Sequence, residues 1–346
     1  MSSEITVVPF GQGANLYTLA NANGMVVRIT NFGGIVTEIH APDRDGRFAD
    51  VALGLDSLAA YRAGSPFFGA LIGRYGNRIS QGRFTLDGQD YQLAVNDGAN
   101  HLHGGSPGFD GVLWQAHAEG RELHLSYRSV DGEQGYPGNL DVTAVYSLTD
   151  DNELVVRFRA VADKATPVNL TQHSYFNLAG GGDILGHELT IDAGAFLPVD
   201  DGLIPTGELA RVAGTSFDFC APQAIGTRID DADEQLRRGG GYDHCYVLDK
   251  PAPKAMSRAV RVVEPRSGRV LELFTQEPAV QFYSGNALDG SLQGKGQAWI
   301  RRSGFCIEPQ HFPDAPNQAS FPNTILRPGE IYETESRFVF STDRAS

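Results

Sequence analysis

The chain has 346 residues, with 28 lysines and arginines against 42 aspartates and glutamates and a formal net charge of -14. That acidic balance lacks the electrostatic footprint for nucleic-acid phosphates or anionic membrane surfaces. With 41% hydrophobic and 20% charged residues the composition is that of a folded chain, not a disordered one.

Glycine is the outlier: 41 of 346 residues, about 12% against roughly 7% on average. Without a Gly-X-Y period this excess excludes collagen and predicts tight turns between many short strands. The elements follow in chain order. Met1 to Pro9 shows no basic region and no apolar stretch, so no signal peptide is expected. Asn23-Gly24 and Asp45-Gly46 are hairpin turn pairs suited to type I′ geometry. Asp56 to Gly64 has an N-cap candidate and a closing glycine, the marks of a short helix. Asp87-Gly88 is a third turn pair and Asp131-Gly132 a fourth. Leu123, Leu125 and Tyr127 alternate with polar neighbours, as do Leu154, Val156 and Phe158. Asp230 to Arg238 predicts a second short helix, and Tyr332 to Phe340 alternates again. No linker, repeat or ~18-residue apolar run interrupts this pattern. The expectation is all-β: one large sandwich or barrel spanning 1–346, with few short helices.

Cys220, Cys245 and Cys306 are too few and too scattered for a disulfide framework and read as free thiols of a reducing compartment. The sequon Asn169-Leu170-Thr171 then carries no sugar, and cytoplasm is the expected location.

Three candidate motifs fall short of their usual chemistry. Gly104-Gly105-Ser106-Pro107-Gly108 matches a nucleophile elbow, but Pro107 has no N–H to donate to an oxyanion hole. His101-Leu102-His103 could point two imidazoles at one metal from a strand, but glycines follow where a carboxylate ligand is wanted and only His173 or Glu308, brought in through space, could complete a site, so the expectation is no metal. Gly11-Gln12-Gly13 lacks the third glycine of a dinucleotide fingerprint. What remains is a set of polar clusters in glycine-rich or strand-like surroundings, at 73–79, 100–105, 169–177, 239–244 and 304–310. They supply imidazoles, carboxylates, a guanidinium and amides, which suits a neutral polyhydroxylated ligand with acid/base chemistry at hand.

At these residues the sequence resembles the aldose 1-epimerase (galactose mutarotase) family. The strings are GRYGNRI at 73–79, HLHGG at 101–105, GFDGVLW at 108–114, QHSYFNL at 172–178, GGYDH at 240–244, QFYSGN at 281–286, GFCIEPQHFPDAPN at 304–317 and LRPGE at 326–330. They stand in the family's order and cover essentially the whole chain. The resemblance implies a large antiparallel β-sandwich with its site in a cleft on one face. It implies Glu308 as catalytic base, His173 as catalytic acid, and His103 as a histidine that contacts and assists at the sugar. It places Asn77, Arg78, Ser174, Tyr175, Asp243 and Gln281 at substrate-binding positions. Gly76 and His101 depart from common family residues, and His101 leaves open which histidine of its pair faces the sugar, with His103 preferred.

The implied reaction interconverts the α and β anomers of free aldohexoses such as galactose and glucose. A base takes the C1 hydroxyl proton, an acid protonates O5, and the opened chain rotates and recloses. This needs no metal, nucleotide or covalent intermediate, so no cofactor is expected. The expected partner is a monosaccharide, with no nucleic acid and no membrane, and the protein is a monomer or homodimer. Pro309 biases Glu308 towards extended backbone. In a strand, Cys306 and Glu308 share one face while Phe305 and Ile307 share the other. Tyr175, Phe282 and Tyr283 are candidates for stacking on the sugar. Two rival readings are a non-catalytic sugar-binding module and a hexose-6-phosphate epimerase; the second wants a basic cluster that the sequence does not reveal.

Overall fold

A computed structural model describes residues 4–343. Its named strands pair antiparallel throughout, in three main sheets. The largest has nine strands in the order Gln115–Glu119, Glu122–Ser129, Leu140–Leu148, Glu153–Ala162, Tyr332–Thr342, Arg269–Thr275, Ser257–Val263, Glu188–Ile191, Gln223–Ala224. A six-stranded sheet runs Tyr175–Phe176, Phe305–Gln310, Ala279–Tyr283, Asp243–Val247, Ala195–Phe196, Ala210–Arg211. A five-stranded meander, Thr6–Gly11 to Phe48–Asp50, forms the third.

The period-two signal sets the packing. Leu140, Val142, Ala144, Tyr146 and Leu148 all point inward from one strand, and Leu154, Val156 and Phe158 do so from its neighbour. One apolar cluster draws on all three sheets: Val27 and Ile39 from the meander, Leu125, Leu271 and Phe338 from the large sheet, Val280, Phe282 and Ile307 from the six-stranded one. The Phe176 ring meets Phe338 of the facing sheet at 5.6 Å. Each large apolar side chain buried this way contributes about 1.5–3 kcal/mol. The layers form a sandwich, as expected, and not a closed barrel.

Turn chemistry differs from expectation at three of four places. Asp87 and Gly88 both take positive φ (52° and 80°), the type I′ signature. At Asn23-Gly24, Asp45-Gly46 and Asp131-Gly132 only the glycine does. In the first two a preceding side chain decides: Asn21 accepts the Asn23 and Met25 N–H groups, and Asp43 accepts those of Asp45 and Arg47. Such side-chain caps substitute for the tight hairpin. Asp131-Gly132 opens a longer loop through a 3₁₀ turn at Glu133–Gly135.

Both short helices form. Leu58–Ala63 is capped by Ser57 and closed by Gly64. Glu234–Gly239 starts later than expected, because the Asp233 carboxylate accepts the Gln235 and Leu236 N–H groups and so fixes the N-terminus. All three cysteines are free. No helix among the described residues is long and apolar enough to cross a membrane.

Candidate active site

The outward face of the six-stranded sheet forms a cleft floor. Phe305 and Ile307 enter the main core, so strand alternation turns Cys306, Glu308 and Gln310 to the other face. Gln281 pairs with both Glu308 and Cys245, and Tyr283 with both Asp243 and Cys306. Three adjacent strands thus deliver Asp243, Gln281 and Glu308 to one face. The cleft above them measures about 500 Å³ and includes Phe67, Asn77, Arg78, His103, His173, Tyr175, Asp243, Tyr283 and Glu308 in its lining. That volume lies within the usual range for small-molecule sites.

His103 and Asn77 are locked together by backbone. The His103 N–H donates to the Asn77 carbonyl, and the Asn77 N–H donates to His103 Nδ1 at 3.0 Å. With Nδ1 occupied as acceptor, neutral His103 carries its proton on Nε2 and can donate it. Burial, then the neighbouring His173 and Arg78, hold His103 well below the usual histidine range. Both residues sit at positive φ (63° for Asn77, 51° for His103), uncommon for non-glycine residues and concentrated at functional sites. Gly104 follows at φ 86°, where a Cβ would lie 1.8 Å from the Gly73 carbonyl oxygen. The HLHGG turn therefore needs glycine at that position. Arg78 is aimed by Asp97, whose Oδ2 accepts from Nε at 2.8 Å, and its Nη1 lies 4.0 Å from Asp243 Oδ2.

His173 and Glu308 lie side by side in the cleft. His173 Nε2 lies 3.5 Å from Glu308 Oε1, and both side chains are at most 5% exposed. The His173 ring stacks on Tyr175 at 5.1 Å and meets His103 edge-on at 5.1 Å. Phe67 packs against both imidazoles, at 4.6 and 5.7 Å. Burial pushes His173 down to about 4. Burial and the Asp243 carboxylate push Glu308 well above the usual carboxylate range, against the pull of Arg78. Asp243 is itself raised by burial, offset by Arg78 and by the Gln281 amide, which donates to its Oδ1 at 2.7 Å. Burial thus favours the uncharged form of both partners.

Several expected residues sit elsewhere. The Ser174 side chain faces away from His173 and Tyr175: its Oγ accepts from the Gln172 amide, and it is absent from the cleft lining. Gln281 lies beneath the lining, holding Asp243, with its Oε1 buried and unpartnered. Tyr175 offers its ring, since its hydroxyl donates to the Pro66 carbonyl. Phe282 is core, whereas Tyr283 lines the cleft. His101 bonds the Ala94 carbonyl and the Tyr136 hydroxyl, both at 2.6 Å, which leaves His103 as the cleft histidine of that pair. His244 is buried against Phe217. Arg74, which precedes Asn77 and Arg78 in the same string, is buried and held by the Pro137 and Gly138 carbonyls and by Ser129. Sequence reasoning missed Asp97 and Phe67; each contributes through contacts between segments distant in the chain, with no motif of its own.

His103, His173 and Glu308 bring one donor atom each within 4.8 Å of one another. They are ill-suited to a metal, because the backbone donation to Nδ1 fixes His103 with an N–H, not a lone pair, at Nε2. A larger cavity of about 910 Å³ lies at the far end of the same strands. There His311 pairs with Glu277 at 2.6 Å, and Lys250 donates to the Ala255 carbonyl and the Ser257 hydroxyl. Of the two, the smaller cleft gathers two imidazoles, two carboxylates and the Arg78 guanidinium in its lining.

Fold and cleft together define a β-sandwich enzyme that moves protons on a small polar substrate. The aldose 1-epimerase family model matches residues 15–339. A galactose mutarotase from Bos taurus is 48% identical over 337 residues, covering 96% of both chains. An aldose 1-epimerase from Escherichia coli K12 is 40% identical, covering 96% of this chain and 97% of its own. A solved GalM/aldose epimerase homologue from C. elegans superposes with a TM-score of 0.88 at 29% identity, covering 96% of this chain and all of its own. The chain belongs to the aldose 1-epimerase family: it is an isomerase, a mutarotase of aldoses.

Proposed function

We propose that this mutarotase interconverts the anomers of free aldohexoses such as galactose and glucose, with Glu308 and His173 as its proton-transfer pair. In the ring-opening step the Glu308 carboxylate takes the O1 proton while protonated His173 gives its Nε2 proton to O5. The C1–O5 bond breaks and the C1 carbonyl forms. After rotation about C1–C2 the steps reverse: O5 attacks the other carbonyl face, His173 recovers its proton, and Glu308 returns one to O1. The pair cycles between carboxylate/imidazolium and acid/imidazole, so nothing is consumed. The observation that carries this reading is the 3.5 Å approach of the two groups in a buried cleft. Each group contributes about 10²–10⁴-fold.

His103 donates from Nε2 to a sugar oxygen. Asn77, Arg78 and Asp243 hold hydroxyls away from C1, Gln281 orients Asp243, and the Tyr175 ring forms a wall. The proposal takes 1–346 as one catalytic domain, supported by the single apolar cluster shared by three sheets. It includes a cytoplasmic location and a monomer or homodimer; light scattering in solution reports which. Polarimetric decay of fresh α-galactose and α-glucose tests the roles: Glu308→Gln and His173→Ala each lose at least about a hundredfold in kcat. Wild-type rates in both variants would refute the assignment.

A further inference from the structure

In mutarotation His173 must both give and take a proton at the same atom. Ring closure requires neutral His173 to present a bare lone pair at Nε2, so its proton must then reside on Nδ1. Something must hold that N–H. Nδ1 meets Cys306 Sγ at 3.6 Å; among the described residues, the ring's other polar contacts are with Glu308 and with its own backbone. Cys306 is fully buried and lies two residues before Glu308 on the same strand. One strand therefore carries the base and also touches the back of the acid.

A carboxylate at this place would anchor the imidazolium and make proton release harder. A neutral sulfur is a weak acceptor: it fixes ring orientation without pinning the charge. Burial, and then the Glu308 and Asp243 carboxylates, push the Cys306 thiol well above its usual range, so the sulfur stays neutral. The other groups around His173 are Glu308, His103, Tyr175 and Phe67. Asp243 and Arg78 act at one remove through Glu308. The strand Ala70–Ile72, paired with Thr171–His173, brings no titratable side chain.

We propose that Cys306 is a positioning residue: its sulfur accepts the Nδ1–H of His173, fixing the tautomer that leaves Nε2 free to exchange a proton with O5. This rests on the reading of His173 as the acid.

The test is the pH profile of kcat/KM in Cys306→Ser and Cys306→Ala, with Tm measured alongside. The acidic limb reports the second protonation of the His173–Glu308 pair. A hydroxyl oxygen accepts more strongly than sulfur and favours the imidazolium, so Cys306→Ser moves that limb up by about half a pH unit or more. Cys306→Ala removes the acceptor, moves the limb down and lowers kcat by about tenfold, with KM within about twofold. A merely structural role would lower activity without moving the limb in opposite directions. An unmoved limb in Cys306→Ser overturns the proposal, and that variant decides the matter if Cys306→Ala does not fold. Imidazole ¹⁵N spectra of the unmutated protein test the tautomer directly: neutral His173 protonated on Nδ1 supports the proposal, and on Nε2 sinks it. His173→Asn separates the two readings. If it is inactive while the Cys306 variants leave the limb in place, the acid assignment stands and the thiol proposal fails. If it retains full rate, the acid assignment itself fails.

Discussion

Glu308 and His173 face each other with their proton affinities pushed in opposite directions by the same cause. Burial penalises charge, which raises a carboxyl and lowers an imidazole. The proposed mechanism needs one proton shared by the pair. Activity therefore falls below about pH 4, where His173 gains a second proton beside an already protonated Glu308. It falls again on the alkaline side, where the raised Glu308 loses its proton. A bell-shaped profile, corrected for the uncatalysed reaction, is the expected polarimetric result; a single limb near pH 6.5 would contradict it. Arg78 depends on a neighbour in the same way. Asp97 anchors its Nε, so Asp97→Ala frees the guanidinium and raises KM by about tenfold, with a smaller effect on kcat, in steady-state kinetics. Neither dependence is written in the spacing of the motifs. The motif strings identified Glu308, His173 and His103 by number, but Asp97 enters the site only because its loop folds back onto Arg78.

The strand Phe305–Gln310 shows how an element divides its labour. Phe305 and Ile307 pack into the main core while Glu308 lines the cleft and Cys306, on the same face, is buried behind His173, and this two-faced division was legible from period two alone. Ser174 follows the same rule with the opposite outcome. It lies between His173 and Tyr175, and alternation turns it towards Gln172 and away from the cleft. The turn after His103 is a second case. Gly104 lets the backbone pass against the Gly73 carbonyl, and that approach holds His103 at its positive φ beside Asn77. Gly104→Ala should lower Tm by several degrees and cut kcat by at least about tenfold, read by thermal melting and polarimetry. Unchanged values in both would show the approach to be unimportant. The hairpins were legible only in part. A glycine marks where the chain reverses, but Asn21 and Asp43 chose the turn geometry through side-chain caps.

Across the molecule, several histidines are buried in the neutral form. His187 accepts the Leu178 N–H at Nε2, and burial pushes it down to about 4. Burial pushes His244 down to about 3. Between an unfolded value near 6.5 and these folded values, the unfolded chain binds more protons, so stability declines as pH falls through that window. The raised carboxyls Glu308 and Asp243 act in the opposite sense. A single-site comparison isolates the effect: Tm against pH from 7 to 4 should fall less steeply in His187→Gln than in the unmutated chain. Equal slopes would show that His187 contributes nothing to acid sensitivity. The architecture itself follows from alternation and turn residues, which commit the chain to antiparallel strands with one apolar face. Those local rules operate over a few residues, so the sequence sufficed for the fold class and the two short helices, while the motif strings, through the family resemblance, pointed to the proposed acid and base. Which imidazole faces the cleft, which amide lies beneath the floor, and that a thiol backs His173 depended on strands far apart in the chain meeting in register. Contacts of that kind leave no local pattern, because they arise only when three sheets close around a shared core.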